Sequence, residues 1–310
     1  MINILLSTYN GEKYIEEQLD SIRNQTYQDF HLYIRDDGSS DHTVDVVRRY
    51  IEQYAMDHYC TLVAGENVGF ALSFRKLLEM SQSGEYWAFC DQDDDWMPEK
   101  LQHAIEWLDT QEKSRPAFFH SGVAIGNEDL SEQYMYTIPY HVGAYRFQFM
   151  NMFASNVFFG FAMVINKALY TELIRADFRK VKYHDWFAAM IAETFGAWKV
   201  GECVDVVHRQ HKQNASPFYF MKKIPDGLKL LRGDNFYTRN AREFKRLYTS
   251  KEIEDASFSM TKEQASICDW FVNERYSLGT GMRKMFYPHR WNPQLKVECV
   301  LRILMLIGKI

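Results

Sequence analysis

A chain of 310 residues, 46% hydrophobic and 25% charged, can bury a sizeable core and lacks the composition of a disordered protein. A net charge of -5 excludes the basic excess of a dedicated nucleic-acid binder, so no nucleic-acid partner is expected. Five cysteines (Cys60, Cys90, Cys203, Cys268 and Cys299) lack CxxC spacing, which argues against a disulfide framework or zinc cluster and for a reducing cytosol.

The opening MINILLSTYNGE has neither the basic start nor the cleavage site of a signal peptide, and Ile2 to Leu6 reads as a buried first strand. From Glu12 to Arg23, Ile15, Leu19 and Ile22 share one helical face after an Asn10-Gly11 turn. Phe30 to Ile34 is a second strand, followed by the loop Asp36-Asp37-Gly38-Ser39-Ser40-Asp41 and a helix to about Tyr54. A third strand falls at Leu62-Val63, a helix at Phe70 to Met80, and a fourth strand at Tyr86 to Cys90. Alternating strands and helices of this kind predict an α/β fold with a mostly parallel sheet.

Pro98 marks the start of another helical stretch, to Gln111. Ala117 to Phe159 is irregular and rich in Tyr, Phe and Met, and reads as insertions and loops. Phe161 to Ile165 resumes as a strand, with a helix at His184 to Thr194. Beyond Ser216 the chain turns helical, with segments at Phe218 to Leu231, Asn235 to Leu247 and Lys262 to Leu278. The first two carry a basic series: Lys222, Lys223, Lys229, Arg232, Arg239, Arg242, Lys245 and Arg246. No apolar run reaches the roughly 18 to 20 residues that span a bilayer. The nearest, Val297 to Ile310, is broken by Glu298, Arg302 and Lys309.

The chemistry concentrates after the fourth strand, where four of the five residues from Asp91 to Asp95 are aspartates. Ligands of open α/β sheets bind beyond the carboxyl ends of the strands. Asp91 and Asp93, two apart, can face one hard divalent cation, magnesium or manganese, that neutralises a diphosphate. A solvated acidic turn or helix cap is the plainer alternative. Asp36-Asp37 occupies the equivalent place after the second strand, where an Asp can accept the imide N–H of uracil or thymine; DDGSSD also fits an ordinary capped turn.

These residues together resemble family 2 of the glycosyltransferases. The order is Ser7-Thr8-Tyr9-Asn10-Gly11, Gln25-Thr26-Tyr27, Asp36-Asp37-Gly38-Ser39, Asn67-Val68-Gly69 and Asp91-Gln92-Asp93-Asp94-Asp95-Trp96-Met97-Pro98. Gly160 to Met163, His184-Asp185-Trp186, and Arg209-Gln210-His211 with Asn214 follow. The likeness is greatest to the bacterial rhamnosyltransferase-type branch that builds cell-surface polysaccharide, and it covers about residues 1–215.

The resemblance implies a GT-A fold, a Rossmann-like nucleotide half fused to an acceptor half, over 1–215, with 216–310 as a helical extension. It implies nucleotide contacts from Ser7, Tyr9, Asp37, Asn67 and Asp91, and a Mn2+ or Mg2+ ion on Asp93, Asp91 and His211. Gly160, His184, Trp186 and Arg209 would border the sugars. Asp185 is the expected base: an inverting transfer needs one carboxylate on the acceptor side to take the hydroxyl proton. It also suits a cap for the helix starting at Trp186.

Expected partners are a dTDP- or UDP-linked sugar donor (rhamnose or a hexose) and a saccharide acceptor, lipid-linked on this reading. The basic, aromatic C-terminal third suggests docking on an anionic membrane at the inner face of the cell membrane. Phe218, Tyr219, Phe220, Trp291 and the tail from Val300 would insert shallowly. A homodimer through the C-terminal helices accounts for the same amphipathic faces. The rival functions are a nucleotidyltransferase, for which STYNGEKY is a poor phosphate loop, and a catalytically silent sugar-nucleotide-binding subunit, which has no need of Asp185.

Overall fold

A computed structural model describes residues 1–136, 148–153, 156–181, 183–212, 214, 236–248, 260–272, 277–292 and 295–308. Its centre is a nine-stranded sheet in the order β3-β2-β1-β4-β8-β6-β9-β5, with β7 paired to β6. The strands are β1 (Ile2–Thr8), β2 (Phe30–Asp36), β3 (Cys60–Ala64), β4 (Tyr86–Cys90), β5 (Asp95–Trp96), β6 (Ala117–Gly126), β7 (Gln133–Tyr136), β8 (Met163–Asn166) and β9 (Ala197–Arg209). β1 to β4 pair in parallel, and the antiparallel β8 joins them to the parallel pair β6 and β9. Only β5, β7 and β8 run against the common direction, so the mostly parallel α/β sheet expected from the sequence is present.

Helices α1 (Ile15–Arg23), α2 (Thr43–Gln53) and α4 (Lys100–Leu108) cover one face of the sheet, and α3 (Phe70–Met80), α5 (Lys167–Arg175) and α6 (His184–Phe195) the other. Periodicity explains the placement. In α1 the buried Ile15, Leu19 and Ile22 line one side while Glu16 and Glu17 face out. In α3, Phe74, Leu77 and Leu78 enter the core and leave Lys76 and Glu79 exposed. Every residue of β4 (YWAFC) is buried, as expected of a strand covered on both faces.

Two long strands depart from the sequence reading. Ala117 to Gly126, read as the start of an irregular insertion, is the central strand β6, nearly all buried. β9, to which no element was assigned, runs beside it. The pairing shifts register around Gly122, where a Cβ would sit 2.1 Å from the Cys203 carbonyl oxygen, so only glycine fits this bulge. Smaller differences lie at the ends of elements. α4 begins at Lys100, two residues after Pro98, and a 3-10 turn at Gly160–Ala162 precedes β8.

The C-terminal region contributes α7 (Phe236–Tyr248), α8 (Lys262–Val272), α9 (Leu278–Met285) and α10 (Leu295–Leu306). The single helix expected from Lys262 to Leu278 ends at Val272, and Leu278 starts the next one. Phe244, Leu247, Ile267, Phe271, Leu301 and Met305 join the hydrophobic cluster that contains Trp186, Phe187 and Met190 of α6. Trp291, expected to insert into a membrane, is fully buried instead; its indole N–H donates to the Lys284 carbonyl at 3.0 Å and its ring meets Phe271 edge-on. Phe218, Tyr219, Phe220, Lys222, Lys223, Lys229 and Arg232 lie outside the described residues. Among the described residues no helix is long and apolar enough to cross a membrane.

Candidate active site

The register of β1 against its neighbours sets Thr8 beside Asp36 and Leu6 beside Cys90, so the carboxyl ends of three parallel strands open onto one edge. The Asp36 carboxylate closes its own turn. It accepts the Thr8 hydroxyl at 2.9 Å and the backbone N–H groups of Gly38 and Ser39 at 3.1 and 2.8 Å. Asp37 Oδ1 accepts from the Arg35 guanidinium at 2.5 Å and from Val68 N–H at 2.9 Å, and Oδ2 accepts from Gly69 N–H at 2.8 Å. Both side chains of the Arg35–Asp37 pair are nearly sealed from solvent, at 3% and 5% exposure. A carboxylate offers about four acceptor positions, so one of them, on Oδ2, remains after these bonds.

The other nucleotide candidates flank this turn. Ser7 Oγ lies 2.6 Å from Ser73 Oγ on α3, Asn67 is exposed in the loop that Asp37 pins, and the Tyr9 ring is 49% exposed. Gln92 ties Tyr9 to the acidic loop: its Oε1 accepts Tyr9 N–H at 2.8 Å and its Nε2 donates to the Tyr9 carbonyl at 3.0 Å. A Cβ on Gly11 would fall 2.2 Å from that Gln92 oxygen, so a larger residue there would push the Gln92 amide aside.

The aspartates after β4 are crowded. Burial, then the charges of Asp94 and Asp93, push the half-buried Asp91 carboxyl well above its usual range. Asp94 is fully buried and binds His208 Nδ1 at 2.6 Å; burial opposes the charge on this imidazole, yet Asp94 and its neighbours raise it to about 9. Asp93 Oδ2 meets His211 Nε2 at 2.6 Å, and the His211 N–H is held by Asn214 Oδ1 at 2.6 Å. The His211 ring stacks on Tyr14, at 4.7 Å between centroids.

The structure therefore brings Asp93 and His211 together, with Asp91 beside them. Among the described residues no three histidine, cysteine or acidic side chains form a ready-made cage. One or two carboxylates and an imidazole suit a magnesium- or manganese-type ion, whose remaining positions are ordinarily filled by phosphate oxygens and water. The donor set fits such an ion.

Two of the expected sugar contacts are engaged elsewhere. Arg209, 2% exposed, donates to the Asp93 carbonyl at 3.0 Å and to the Glu128 carbonyl at 2.8 Å, pairs with Glu17, and lies over the Tyr14 ring. It clamps the acidic loop. Trp186 is 1% exposed and gives its indole N–H to the Met152 carbonyl, so it packs in the core.

Asp185 sits in the first turn of α6, half-buried, with Oδ1 accepting Trp186 N–H at 2.7 Å and Oδ2 accepting Gly160 N–H at 3.2 Å. Burial pushes its carboxyl up to about 6 against these bonds and one from the Asn156 side chain. Gly160, which donates to Asp185, opens the turn that leads into β8 beside the end of β4, and the next residue, Phe161, stacks on His208, the partner of Asp94, so the Asp185 carboxylate stands on the same edge of the sheet as the acidic loop. His184 beside it is buried against Phe74 and Phe89, held neutral by a pKa lowered to about 3, and neither ring nitrogen has a hydrogen-bond partner among the described residues. Gly160 lies against it, since a Cβ there would be 2.8 Å from His184 Nε2.

Sequence reasoning missed Arg35, Gln92, Glu17 and the His208–Asp94 pair. Arg35 carried a legible signal, standing two residues before Asp37, but the partners of Gln92, Glu17 and His208 lie in distant segments.

The family model for glycosyl transferase family 2 matches residues 3–173. A teichuronic acid biosynthesis glycosyltransferase of Bacillus subtilis, TuaG, described as putative, is 33% identical over 42% of this chain and 49% of its own length. The dTDP-rhamnosyl transferase RfbG of Shigella flexneri is 24% identical over 67% of this chain and 72% of its own. The chain spans about half the length of several curated relatives it matches. Among solved structures, S. aureus TarS (residues 1-349) in complex with UDP superposes with a TM-score of 0.55 at 15% identity, covering 99% of this chain and 88% of that one. A Pyrobaculum calidifontis mannosyltransferase, PcManGT, in complex with GDP-Man and Mn2+, gives 0.55 at 18% identity, covering 99% and 86%. The fold is GT-A, as the sequence motifs implied.

The buried Arg35–Asp37 pair gives a direct test of its structural weight. Asp37→Ala leaves the Arg35 cation uncompensated and frees the Val68-Gly69 backbone, and is expected to cost about 3–5 kcal/mol in urea unfolding. A loss below about 1 kcal/mol would show that solvent reaches the pair.

Proposed function

We propose a function from one premise: the chain belongs to glycosyl transferase family 2, whose model spans more than half of it. It transfers a sugar from a nucleoside-diphosphate donor to an acceptor hydroxyl, with inversion, in the synthesis of cell-surface polysaccharide. The observation that carries this reading is that the Asp93–His211 pair, at the end of β4, and the Asp185 carboxylate, bound to Gly160 just before the adjoining β8, lie at one edge of the sheet. A nucleotidyltransferase has no use for a carboxylate so placed, and neither has a silent binding subunit.

The nucleoside would lie over the ends of β1 and β2, bordered by Ser7, Tyr9 and Asn67, with the remaining acceptor position of Asp37 available to a uracil or thymine imide. That chemistry suits UDP and dTDP donors alike. The dTDP-rhamnosyl relative favours dTDP-rhamnose, and the UDP complex of TarS keeps a UDP-hexose as the second choice. Asp93 and His211, with Asp91 near, would hold a divalent cation, which supplies countercharge to the diphosphate leaving group. Asp185 takes the proton of the attacking hydroxyl. Its fixed hydrogen bonds to Trp186 and Gly160 hold the carboxylate in one direction, and its raised pKa makes it a better proton acceptor at neutral pH than an ordinary Asp. Gly160 and His184 shape the floor beside it.

The acceptor is a saccharide on a lipid carrier in this reading. One relative, 29% identical over 36% of the chain, is the Escherichia coli UDP-Glc:alpha-D-GlcNAc-diphosphoundecaprenol beta-1,3-glucosyltransferase WfaP. A cytoplasmic position at the inner face of the membrane follows from such an acceptor. Support comes from apolar side chains left exposed on α9 and α10 and at the end of α9, including Leu278, Met282, Ile303 and Phe286. A homodimer through the same face is the second reading, favoured by the same side chains.

Asp185→Asn is expected to lower turnover at least 1,000-fold while donor affinity stays within a few-fold, read by nucleoside diphosphate release and by calorimetry. Because the carboxyl is raised to about 6 and must be ionised to act, the wild-type rate falls as pH drops through about 6, close to tenfold per unit below it. Turnover retained in the Asn variant refutes the base. Asp93→Ala should weaken donor binding by tenfold or more in manganese and leave the metal-free affinity unchanged; equal loss with and without metal counts against the cation site. Leu278→Ser with Phe286→Ser should abolish flotation with anionic liposomes, whereas an unchanged float and a lost dimer on light scattering would assign the face to self-association.

A further inference from the structure

A second cleft, of about 530 Å³, lies away from the strand ends, between α3, the α5–α6 link and α7. Among the described residues six cationic side chains line it, Arg75, Lys76, Arg175, Arg179, Lys180 and Arg246, against two acidic ones, Glu79 and Asp177. Counting the two further carboxylates that pair with these arginines, Glu172 and Glu243, the cations still exceed the acids, in a chain whose net charge is -5. Such a local excess on an acidic protein is an asymmetry that solubility does not require.

The walls are fixed before any ligand arrives. Arg75 donates to the carbonyls of Leu173, Ile174 and Ala176 at 3.0, 2.7 and 3.2 Å, tying α3 to the end of α5. Glu243 of α7 accepts the Asp177 N–H at 2.8 Å and pairs with Arg246 at 2.6 Å. Each arginine of the cleft is paired with a carboxylate, Arg75 with Glu79, Arg175 with Glu172, Arg179 with Asp177 and Arg246 with Glu243, so the surplus charge falls on Lys76 and on Lys180, which sits 3.6 Å from the already paired Asp177. Lys76 points out from α3. Cations on opposing walls of a concavity match a compact, multiply charged anion better than they match a flat headgroup layer.

The position adds a functional link. Arg179 and Lys180 stand five or six residues before Asp185, and Tyr183 between them stacks against Phe70 at the head of α3. The cleft and the proposed base thus share both supporting elements.

We propose that this cleft binds the diphosphate of the acceptor's carrier, anchoring the acceptor on the side of the base; the acceptor assignment rests on the proposed function, while the anion site itself does not. Phosphate chemistry is shared by lipid headgroups, so the test separates the two sources. Calorimetry with inorganic pyrophosphate is done in EDTA, which silences the acidic loop, on wild type, Lys76→Glu and Lys76→Glu/Lys180→Glu. Binding to wild type, weakened at least tenfold in the double variant and partly in the single one, with unchanged melting temperature and phosphatidylglycerol vesicle co-sedimentation, is the expected result. No pyrophosphate binding by wild type, equal binding in all three proteins, or a charge-dependent loss confined to the vesicles overturns the proposal. Binding of UDP and dTDP in manganese is measured in parallel by calorimetry, and its absence from all three proteins would count against the transferase reading alone.

Discussion

Like-charge crowding at the end of β4 is the constraint around which the rest is arranged. Asp91, Asp93 and Asp94 occupy four consecutive positions with Gln92 at the mouth of a fully buried strand, where the low dielectric makes their repulsion costly. The fold answers with three side chains from one short stretch at the end of β9. His208 takes Asp94, Arg209 takes the Asp93 carbonyl, and His211 takes the Asp93 carboxylate. β5 pairs directly with β9, so the loop and its counterions are held in register by backbone hydrogen bonds. A bound cation would then enter a place already shaped for positive charge.

The opposite wall is built from apolar packing. α6 is buried on almost every side, between the sheet and α7, and carries Asp185 in its first turn. A helix held that firmly fixes Asp185 at the cost of a desolvated carboxyl, and the cost is what raises its proton affinity. The C-terminal helices are therefore more than an appendage: Phe244, Phe271 and Trp291 complete the hydrophobic bed on which the base is mounted.

Much of this was legible in the residues. Strands rich in Ile, Leu and aromatic residues, the helix from Phe70 to Met80 and the strand from Tyr86 to Cys90 fall where periodicity places them. Asp93 and His211 were paired on motif order and do meet. What sequence could not give was the partner across a gap. β6 escaped notice because a strand covered on both faces has no alternation, and His120, Ser121 and Gly122 interrupt its apolar run. Arg209 and Trp186 lie inside motifs, yet the spatial neighbours that occupy Arg209 come from Glu17 and Glu128, and the acceptor for Trp186 from Met152. Motif membership marks where a residue sits; burial decides what it is free to touch.

The clamp on the acidic loop also sets an order of assembly. The partners of Asp93 and Asp94 lie 114 to 118 residues further along the chain. While the ribosome is still delivering the intervening segment, the parallel β1 to β4 layer can form from local crossovers, but its acidic end has nothing to balance it. The early half is thus born with an electrostatic fault that only the arrival of β9 repairs. The chain acquires its ligand-ready edge only once β9 lies beside β6.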